Sequence, residues 1–443
     1  MTARLARLSG MQKFSIIWLG TFVSIMGTAM TRFALLVWAF QQTGQALTTA
    51  LLGFFGILLY VLLSPVAGVI TDRYDRRLIM IVADTCSAAM SLFLLIQYQN
   101  NSMQIWHLYL LELMTGGFDA FYLNAYSTTI TLLVPKEQYA RASGMRSLAN
   151  EASRVFAPAL GGLLLGWVGL SGVLVIDIVS FLLGFTPLLL LSIPRSPRKD
   201  IPAFNLGSFI SDLKFGLSYI AERVGLRQLL SIYAGINLMA GLTWFGVLAP
   251  MVLARTGQDE LSLAAVQGAM GAGGILGGLF ISLWGGPRNR IHGILGWCGV
   301  SFFLGDLLIG LGQSPVMWMI GVFMGSLFIP VVISSEQSIW GAKVDPSVQG
   351  RVFAVKDMLR TASTPVGYLV GGLLADRFFE PLVASGRVPF LNQLTGGGVG
   401  SGMSLMFICT GLIGASICFG GYLLPHLRNI ERELPDHDHP VAV

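Results

Sequence analysis

Gly68-Val69-Ile70-Thr71-Asp72-Arg73-Tyr74-Asp75-Arg76-Arg77 crowds five charged side chains into ten residues between two long apolar runs. The run before it, about 47–70, and the run after it, about 78–98, are each long enough to cross a hydrocarbon core of about 30 Å as a helix. Barrel strands would alternate in polarity, whereas these runs are apolar throughout, so the backbone must satisfy itself within helices. The charged decapeptide is therefore the turn between two membrane-spanning helices. Asp72 with Arg73, Arg76 and Arg77 forms a compact cluster able to pair with helix ends in one conformation and release them in another. On the residues alone, a tight, positively charged loop that only fixes topology explains it equally well.

The rest of the chain repeats this pattern. Of 443 residues, 54% are hydrophobic and 12% charged, with mean hydropathy +0.70, whereas a soluble domain carries about a quarter charged residues. Apolar runs stand at roughly 14–40, 47–70, 78–98, 105–134, 143–166, 170–193, 228–254, 262–285, 291–312, 315–340, 350–376 and 402–424, giving an all-α polytopic membrane protein of twelve helices. The first run is too long for a cleavable leader and is expected to be the first span. Cys86, Cys298, Cys409 and Cys418 all lie in apolar runs, without metal-ligand spacing, and behave as small hydrophobes. A net charge of +5 does not indicate nucleic acid, because the basic residues are spaced out between spans rather than gathered with aromatics.

Lysine and arginine set the orientation. They crowd the N-terminus (Arg4, Arg7, Lys13), alternate loops (Arg73, Arg76, Arg77; Lys136, Arg141; Arg195, Arg198, Lys199, Lys214, Arg223, Arg227; Arg288, Arg290; Lys343, Arg351) and the tail (Arg428, Arg432). The opposite loops hold only Arg255, Arg377 and Arg387. By the positive-inside rule both termini are expected in the cytoplasm.

The longest connection carries a Pro and charge cluster and a short amphipathic stretch, and splits the spans six and six. The expected organisation is a first six-helix bundle over 1–193, a cytoplasmic linker over 194–227, a second bundle over 228–427 and a tail over 428–443. Sliding the chain on itself by 210 residues sets Arg141 on Arg351, Gly144 on Ala354, Ser153 on Ser363, Ala157 on Gly367, Gly161-Gly162 on Gly371-Gly372 and Gly68 on Gly278. Small residues at matching intervals predict close backbone approach at the same places in both halves, and two parallel halves are one arrangement known among transporters.

The decapeptide resembles the signature G-x-x-x-D-R-x-G-R-R of the major facilitator superfamily, with Gly68, Asp72, Arg73, Arg76 and Arg77 in place and Asp75 standing for the second glycine. Gly144, Ser153, Ala157-Pro158 and Gly161-Gly162 stand at the intervals of the superfamily's antiporter motif G-x8-G-x3-G-P-x2-G-G, with Ser and Ala for two glycines. Gly350-Arg351-Val352-Phe353-Ala354 and Ala375-Asp376-Arg377-Phe378-Phe379-Glu380-Pro381 resemble its macrolide-efflux and enterobactin-exporter branch. The resemblance implies two pseudo-symmetric six-helix bundles around a cavity lined by the first and fourth spans, working as a monomer in a bacterial inner membrane. The antiporter motif favours export over uptake.

Proton-coupled drug antiporters of the superfamily carry an arginine in the fourth span, and this chain has no Arg or Lys between His107 and Pro135. It has Glu112 and Asp119 instead, seven residues apart and so on one helical face, extended by Tyr122 and Tyr126. Intramembrane acids are functional candidates by default. Arg32 lies at about their depth in the first span and is expected to pair with Glu112 or Asp119, the freer acid taking the driving proton. A static ion pair locking two helices is the competing reading. Glu336 in the tenth span is a further proton-coupling candidate, or a wet residue at the cytoplasmic mouth. Glu151 with Arg154, and Arg360, read as structural i,i+3 pairs. Asp177 and Asp306 lie nearer the outer ends of their spans and are expected to be hydrated.

Phe118, Tyr122, Tyr126, Asn237, Trp244 and Phe328 are substrate-cavity candidates, with few amides or hydroxyls among the candidate cavity spans. Such surfaces suit a bulky amphiphilic compound better than a sugar or small ion. Chemistry on substrate is not indicated: no phosphate-cradling G-x-x-x-x-G-K-[ST] loop and no H-E-x-x-H site occur. No cofactor is implied, and His437-Asp438-His439 reads as solvated tail rather than a metal site. The function expected is secondary active export of a small organic molecule, a drug or macrolide or else a siderophore or peptide product, in exchange for protons across the lipid bilayer. An uptake carrier and a non-transporting receptor are the alternatives.

Overall fold

Asp75, where the superfamily signature has glycine, starts a helix. In the computed structural model its carboxylate accepts the Arg77 backbone N–H at 3.0 Å and caps the helix Arg76–Gln99, as Asp does at N-caps. The Arg77 guanidinium then donates to the carbonyls of Leu188 and Leu189 at 2.5 and 2.7 Å, the unsatisfied C-terminal end of another helix where a cation is favoured. One end of the decapeptide loop is thus tied to the end of the sixth span.

The structure describes residues 9–191 and 206–436. Arg4, Arg7, the linker charges Arg195, Arg198 and Lys199, and His437-Asp438-His439 lie outside the described residues. No strand occurs among the described residues. The first half comprises α1 Gly10–Thr43, α2 Ala46–Arg73, α3 Arg76–Gln99, α4 Ile105–Leu133 and α5 Tyr139–Leu190. The last is two spans in series, broken at Gly169, whose φ of 66° interrupts helical geometry and is open to glycine without a Cβ penalty. An amphipathic α6 Leu206–Glu222 follows.

The second half begins with α7 Val224–Ala240, which passes through a π turn at Gly241–Phe245 into α8 Leu248–Arg255. Next come α9 Glu260–Trp284, then α10 Arg290–Val300, joined by a π turn at Ser301–Asp306 to α11 Leu307–Leu311. The tenth span is α12 Pro315–Leu327 and α13 Ile329–Lys343, interrupted at Phe328. Then come α14 Gln349–Leu374, the short α15 Glu380–Ala384 and α16 Pro389–Thr395, and α17 Ser401–Gly420, followed by two single turns at Pro425–Arg428 and Ile430–Glu433. The described helices make twelve crossings, six up to residue 190 and six from 224 on. Nine helices, one of them the double span ending at Leu190, satisfy length and apolarity for a crossing. The helices α4 and α14 are not among them.

Chain contacts divide the molecule into two units, 1–43 with 51–203 and 44–50 with 204–443. In the first, α5 packs along α1. A Cβ on Gly161 would stand 3.3 Å from the Met30 carbonyl oxygen, and Ala157 is fully buried. In the second, α14 packs along α7 and its π turn, where a Cβ on Gly367 would come 2.8 Å from the Gly241 Cα. The 210-residue register therefore describes the same close helix crossing made once in each unit. It does not hold throughout: nothing stands within 4 Å of a Cβ on Gly68, Gly144 or Gly278. At those three positions the expectation of close approach is corrected.

The helix α6 lies on α14, with Asp212 3.6 Å from Arg351, the Arg351 guanidinium over the Phe215 ring and Gly216 against Val355. Past the eleventh span, Glu380 accepts the Gly400 and Met403 N–H groups at 3.1 and 2.8 Å. Burial pushes its carboxyl above the usual range, against the pull of those donors. Large apolar side chains stand exposed on the spans, Trp167 at 80% and Leu283 at 81%, as a surface solvated by lipid requires.

Candidate functional site

The seven-residue spacing of Glu112 and Asp119 places both acids on the α4 face that meets α1, and Arg32 reaches them both. Arg32 Nε lies 3.5 Å from Glu112 Oε2, and Nη2 lies 3.1 Å from Asp119 Oδ2. Glu112 is 8% exposed, while the Asp119 side chain retains 42% of its surface. The sequence left the partner of Arg32 open between these two acids; the structure places it on both. A guanidinium suits this bridge because its rigid planar fork spreads the charge toward both acids, whereas a lysine ammonium is a compact point charge. With both acids ionised the group carries one surplus negative charge, and a single proton neutralises it.

Arg32 and Asp119 form part of the wall of a cavity of about 240 Å³ inside the first unit. Phe118, Tyr122 and Thr115 line it from α4, Asp84, Ser87 and Ser91 from α3, and Asp177 from the sixth span. Asp177 is 5% exposed and accepts hydrogen bonds from Ser91 at 2.8 Å and Thr28 at 3.2 Å. The expectation of a solvent-exposed acid hydrated near a span end is thereby corrected: helix packing buries it and two hydroxyls hydrogen-bond it. A second cavity of about 250 Å³ shares Thr21, Tyr122 and Asn150 with the first and reaches Tyr126 and Arg146. Tyr122 is held by Thr21, hydroxyl to hydroxyl at 3.0 Å. Tyr126 is 3% exposed and its hydroxyl has no hydrogen-bond partner.

The second unit treats its charges differently. Glu336 is 3% exposed and lies 3.2 Å from Lys356, itself 6% exposed. It is a buried ion pair between α13 and α14, so a wet residue at the mouth is excluded. Asp357 flanks the pair, 3.2 Å from Lys356 and 3.6 Å from Arg360. Asp306, expected to be hydrated, is fully buried and accepts from Trp244 Nε1 at 2.5 Å and Thr410 Oγ1 at 3.1 Å. Trp244 and Asp306 each sit on a π turn, and the two irregular turns bring them together. Trp244 is thus committed to a buried carboxylate, Asn237 donates to the Tyr233 carbonyl, and Phe328 packs against Trp297. None of these three lines either cavity, whereas Phe118, Tyr122 and Tyr126 do. In the antiporter-type stripe, Ser153 donates to the Ala149 carbonyl, Pro158 lies within α5, and Glu151 and Arg154 form an exposed pair at 3.9 Å.

Lipid-facing helices in two six-span units, with a charged and partly aromatic cavity inside one of them, define a membrane carrier of small molecules rather than an enzyme. The chain belongs to the Major Facilitator Superfamily, whose profile matches residues 17–293. It is 25% identical over 369 residues to macrolide efflux protein A of Streptococcus pyogenes, covering 82% of this chain and 90% of that protein. It is 25% identical over 330 residues to an enterobactin exporter of Salmonella typhi, covering 71% and 73% respectively. These relatives bear out the branch resemblance drawn from the motifs. A solved bacterial homologue of the human lysosomal transporter Spinster, inward-facing and unoccupied, superposes with a TM-score of 0.66 at 16% identity, over 92% of this chain and 96% of that one. At that identity the likeness concerns the fold alone.

Proposed function

We propose that this chain is a secondary active exporter that moves a bulky amphiphilic organic compound out of a bacterial cell by alternating access, in exchange for protons. The observation that carries the reading is the Arg32 bridge to Glu112 and Asp119 on the cavity wall. Two acids that share one guanidinium can take up or release a proton on a carboxylate with little rearrangement, and Asp119, the more exposed acid, is the proton carrier. Glu112 keeps Arg32 aimed. Glu336, neutralised by Lys356, is a structural partner in this scheme.

Export as the direction is supported by the names of the relatives, a macrolide efflux protein and an enterobactin exporter, and by the small-residue stripe of the fifth span. Cargo of macrolide or siderophore type matches the aromatic lining. The protein works as a monomer in the inner membrane with both termini cytoplasmic, as the distribution of Lys and Arg supports.

Everted membrane vesicles, cytoplasmic face outward, test direction and coupling together. With an acid interior they are expected to accumulate a labelled macrolide, and with a neutral interior they are not. Accumulation in right-side-out vesicles driven by external acid would instead make the protein an uptake carrier, and gradient-independent equilibration would remove the proton.

A further inference from the structure

The two cavities of the first unit are walled by different chemistry. Acidic side chains, Asp84, Asp119 and Asp177, stand around the first, where the one guanidinium, that of Arg32, is already shared by two acids. The second cavity has no acid in its wall and one cation, Arg146. Arg146 stands about two turns inside α5 rather than on the loop before it, and among the described residues no hydrogen bond or ion pair holds it. A guanidinium stays protonated at any physiological pH, so this wall is positive with no acid opposite it. Tyr126, on the same wall, is an independent sign of a site. It is 3% exposed and its hydroxyl has no partner, whereas buried polar groups are almost always bonded. Asn150, one turn from Arg146 on the same helical face, adds an amide to the lining.

An ammonium group entering the second cavity meets the like charge of Arg146, and a neutral group leaves that charge unanswered. A carboxylate or similar oxyanion answers it and accepts from the Tyr126 hydroxyl and the Asn150 amide, with the charge-assisted geometry for which a guanidinium fork is suited. Because the cavities share Thr21, Tyr122 and Asn150, one molecule can lie across both. The Phe118 and Phe181 faces of the first cavity suit its apolar body. We propose that Arg146, Tyr126 and Asn150 form an oxyanion-recognition site and that the preferred cargo is an amphiphile bearing a carboxylate or similar oxyanion at one end. This deepens the export reading and rests on it for the movement of the cargo, not for its binding.

The test uses two probes of one body and different charge, dansylated undecanoate and its primary amide, with the purified full-length protein in phosphatidylcholine nanodiscs and empty nanodiscs subtracted. Wild type is expected to bind the carboxylate at least about tenfold more tightly than the amide. Arg146→Gln is expected to bring the two within about twofold of each other, and Arg146→Lys, which keeps the charge, to retain a preference for the carboxylate. Tyr126→Phe is expected to cut the preference at least about threefold while melting no lower than wild type, because the hydroxyl has no bond to lose. A purely structural tyrosine would not give that pair of results. Equal or tighter binding of the amide, no carboxylate binding, or an unchanged preference in Arg146→Gln or Tyr126→Phe would overturn the proposal.

Because the variants can fail through folding alone, a wild-type measurement stands beside them. Hydroxyphenylglyoxal is expected to label Arg146, read by peptide mass spectrometry, and the carboxylate but not the amide is expected to block the labelling. Absence of labelling, or labelling blocked by neither probe or by both, counts against the proposal. Labelling lost on adding phosphatidylglycerol to the discs, with no probe present, would give the site to a lipid head group and overturn the cargo assignment. Carboxylate preference without gradient-driven flux would refute export and leave the site its role; macrolide flux with no preference for the carboxylate would do the reverse.

Discussion

Arg32 Nη2 stands 3.1 Å from Asp119 Oδ2 on an open cavity wall, while the other acid that Arg32 holds, Glu112, is buried behind it. One cation therefore faces a dry acid and a wet one. The dry contact is suited to holding the guanidinium in place, and the wet one to exchanging a proton.

Removing the cation should show that division. Arg32→Met leaves Glu112 buried without a counter-charge, and breaking such a pair from one side is expected to destabilise the protein by roughly 3–5 kcal/mol. The apparent melting temperature of the purified protein reads this. The double variant Arg32→Met with Glu112→Gln is expected to recover much of the loss, giving clear non-additivity. Arg32→Lys keeps the charge without the fork and should fold well while losing most gradient-driven transport.

The Glu336–Lys356 pair is expected to act on stability alone. Both members are almost fully buried, so Lys356→Met should cost roughly 3–5 kcal/mol, and Glu336→Leu with Lys356→Met should restore most of it. The melting temperature again serves as readout. If the double variant melts like wild type but no longer moves substrate, the pair has a transport role that the buried geometry does not suggest.

Close approach divides the motif glycines into two kinds. Gly161→Leu and Gly367→Leu insert side chains where backbone already stands within about 3.5 Å and should abolish folded protein in the membrane, because small residues set such helix crossings. Gly144→Ala meets open space and should leave expression and melting unchanged. Fluorescence-detected size-exclusion chromatography on detergent extracts distinguishes these outcomes.

At the signature loop, Asp75→Ala removes the N-cap of α3 and is expected to cost about 0.5–2 kcal/mol; Asp75→Gly, which restores the superfamily residue, should cost only a few tenths. Arg77→Ala frees the Leu188 and Leu189 carbonyls and should lower the melting temperature further, since a charge-assisted bond is worth roughly 1.5–3 kcal/mol.

The architecture was legible in the sequence because the membrane imposes a simple rule, long apolar runs broken by charge, and because glycine repeats at crossings survive a 210-residue shift. The bridge was legible for the same reason: Arg32, Glu112 and Asp119 are conspicuous in apolar runs, and a spacing of seven fixes their face. Asp84 went unnoticed, though Asp84, Ser87 and Ser91 fall on one face of α3, and that polar stripe in an apolar helix was the available signal. The burial of Asp306 had no such signal, since nothing in the local residues announces the two π turns that join it to Trp244. Glu336 stayed open between a proton-coupling acid and a wet residue because its partner Lys356 lies twenty residues on, in another helix, and only tertiary packing joins them.

The proton role of Asp119 is reached most directly by watching protons themselves. Proteoliposomes are given an acid interior and an entrapped pH dye, and substrate is added outside. With wild-type protein, substrate is expected to collapse the gradient; with Asp119→Asn it is expected not to, although the variant still binds ligand within about threefold of the wild-type affinity. Collapse of the gradient by Asp119→Asn at the wild-type rate would contradict the assignment.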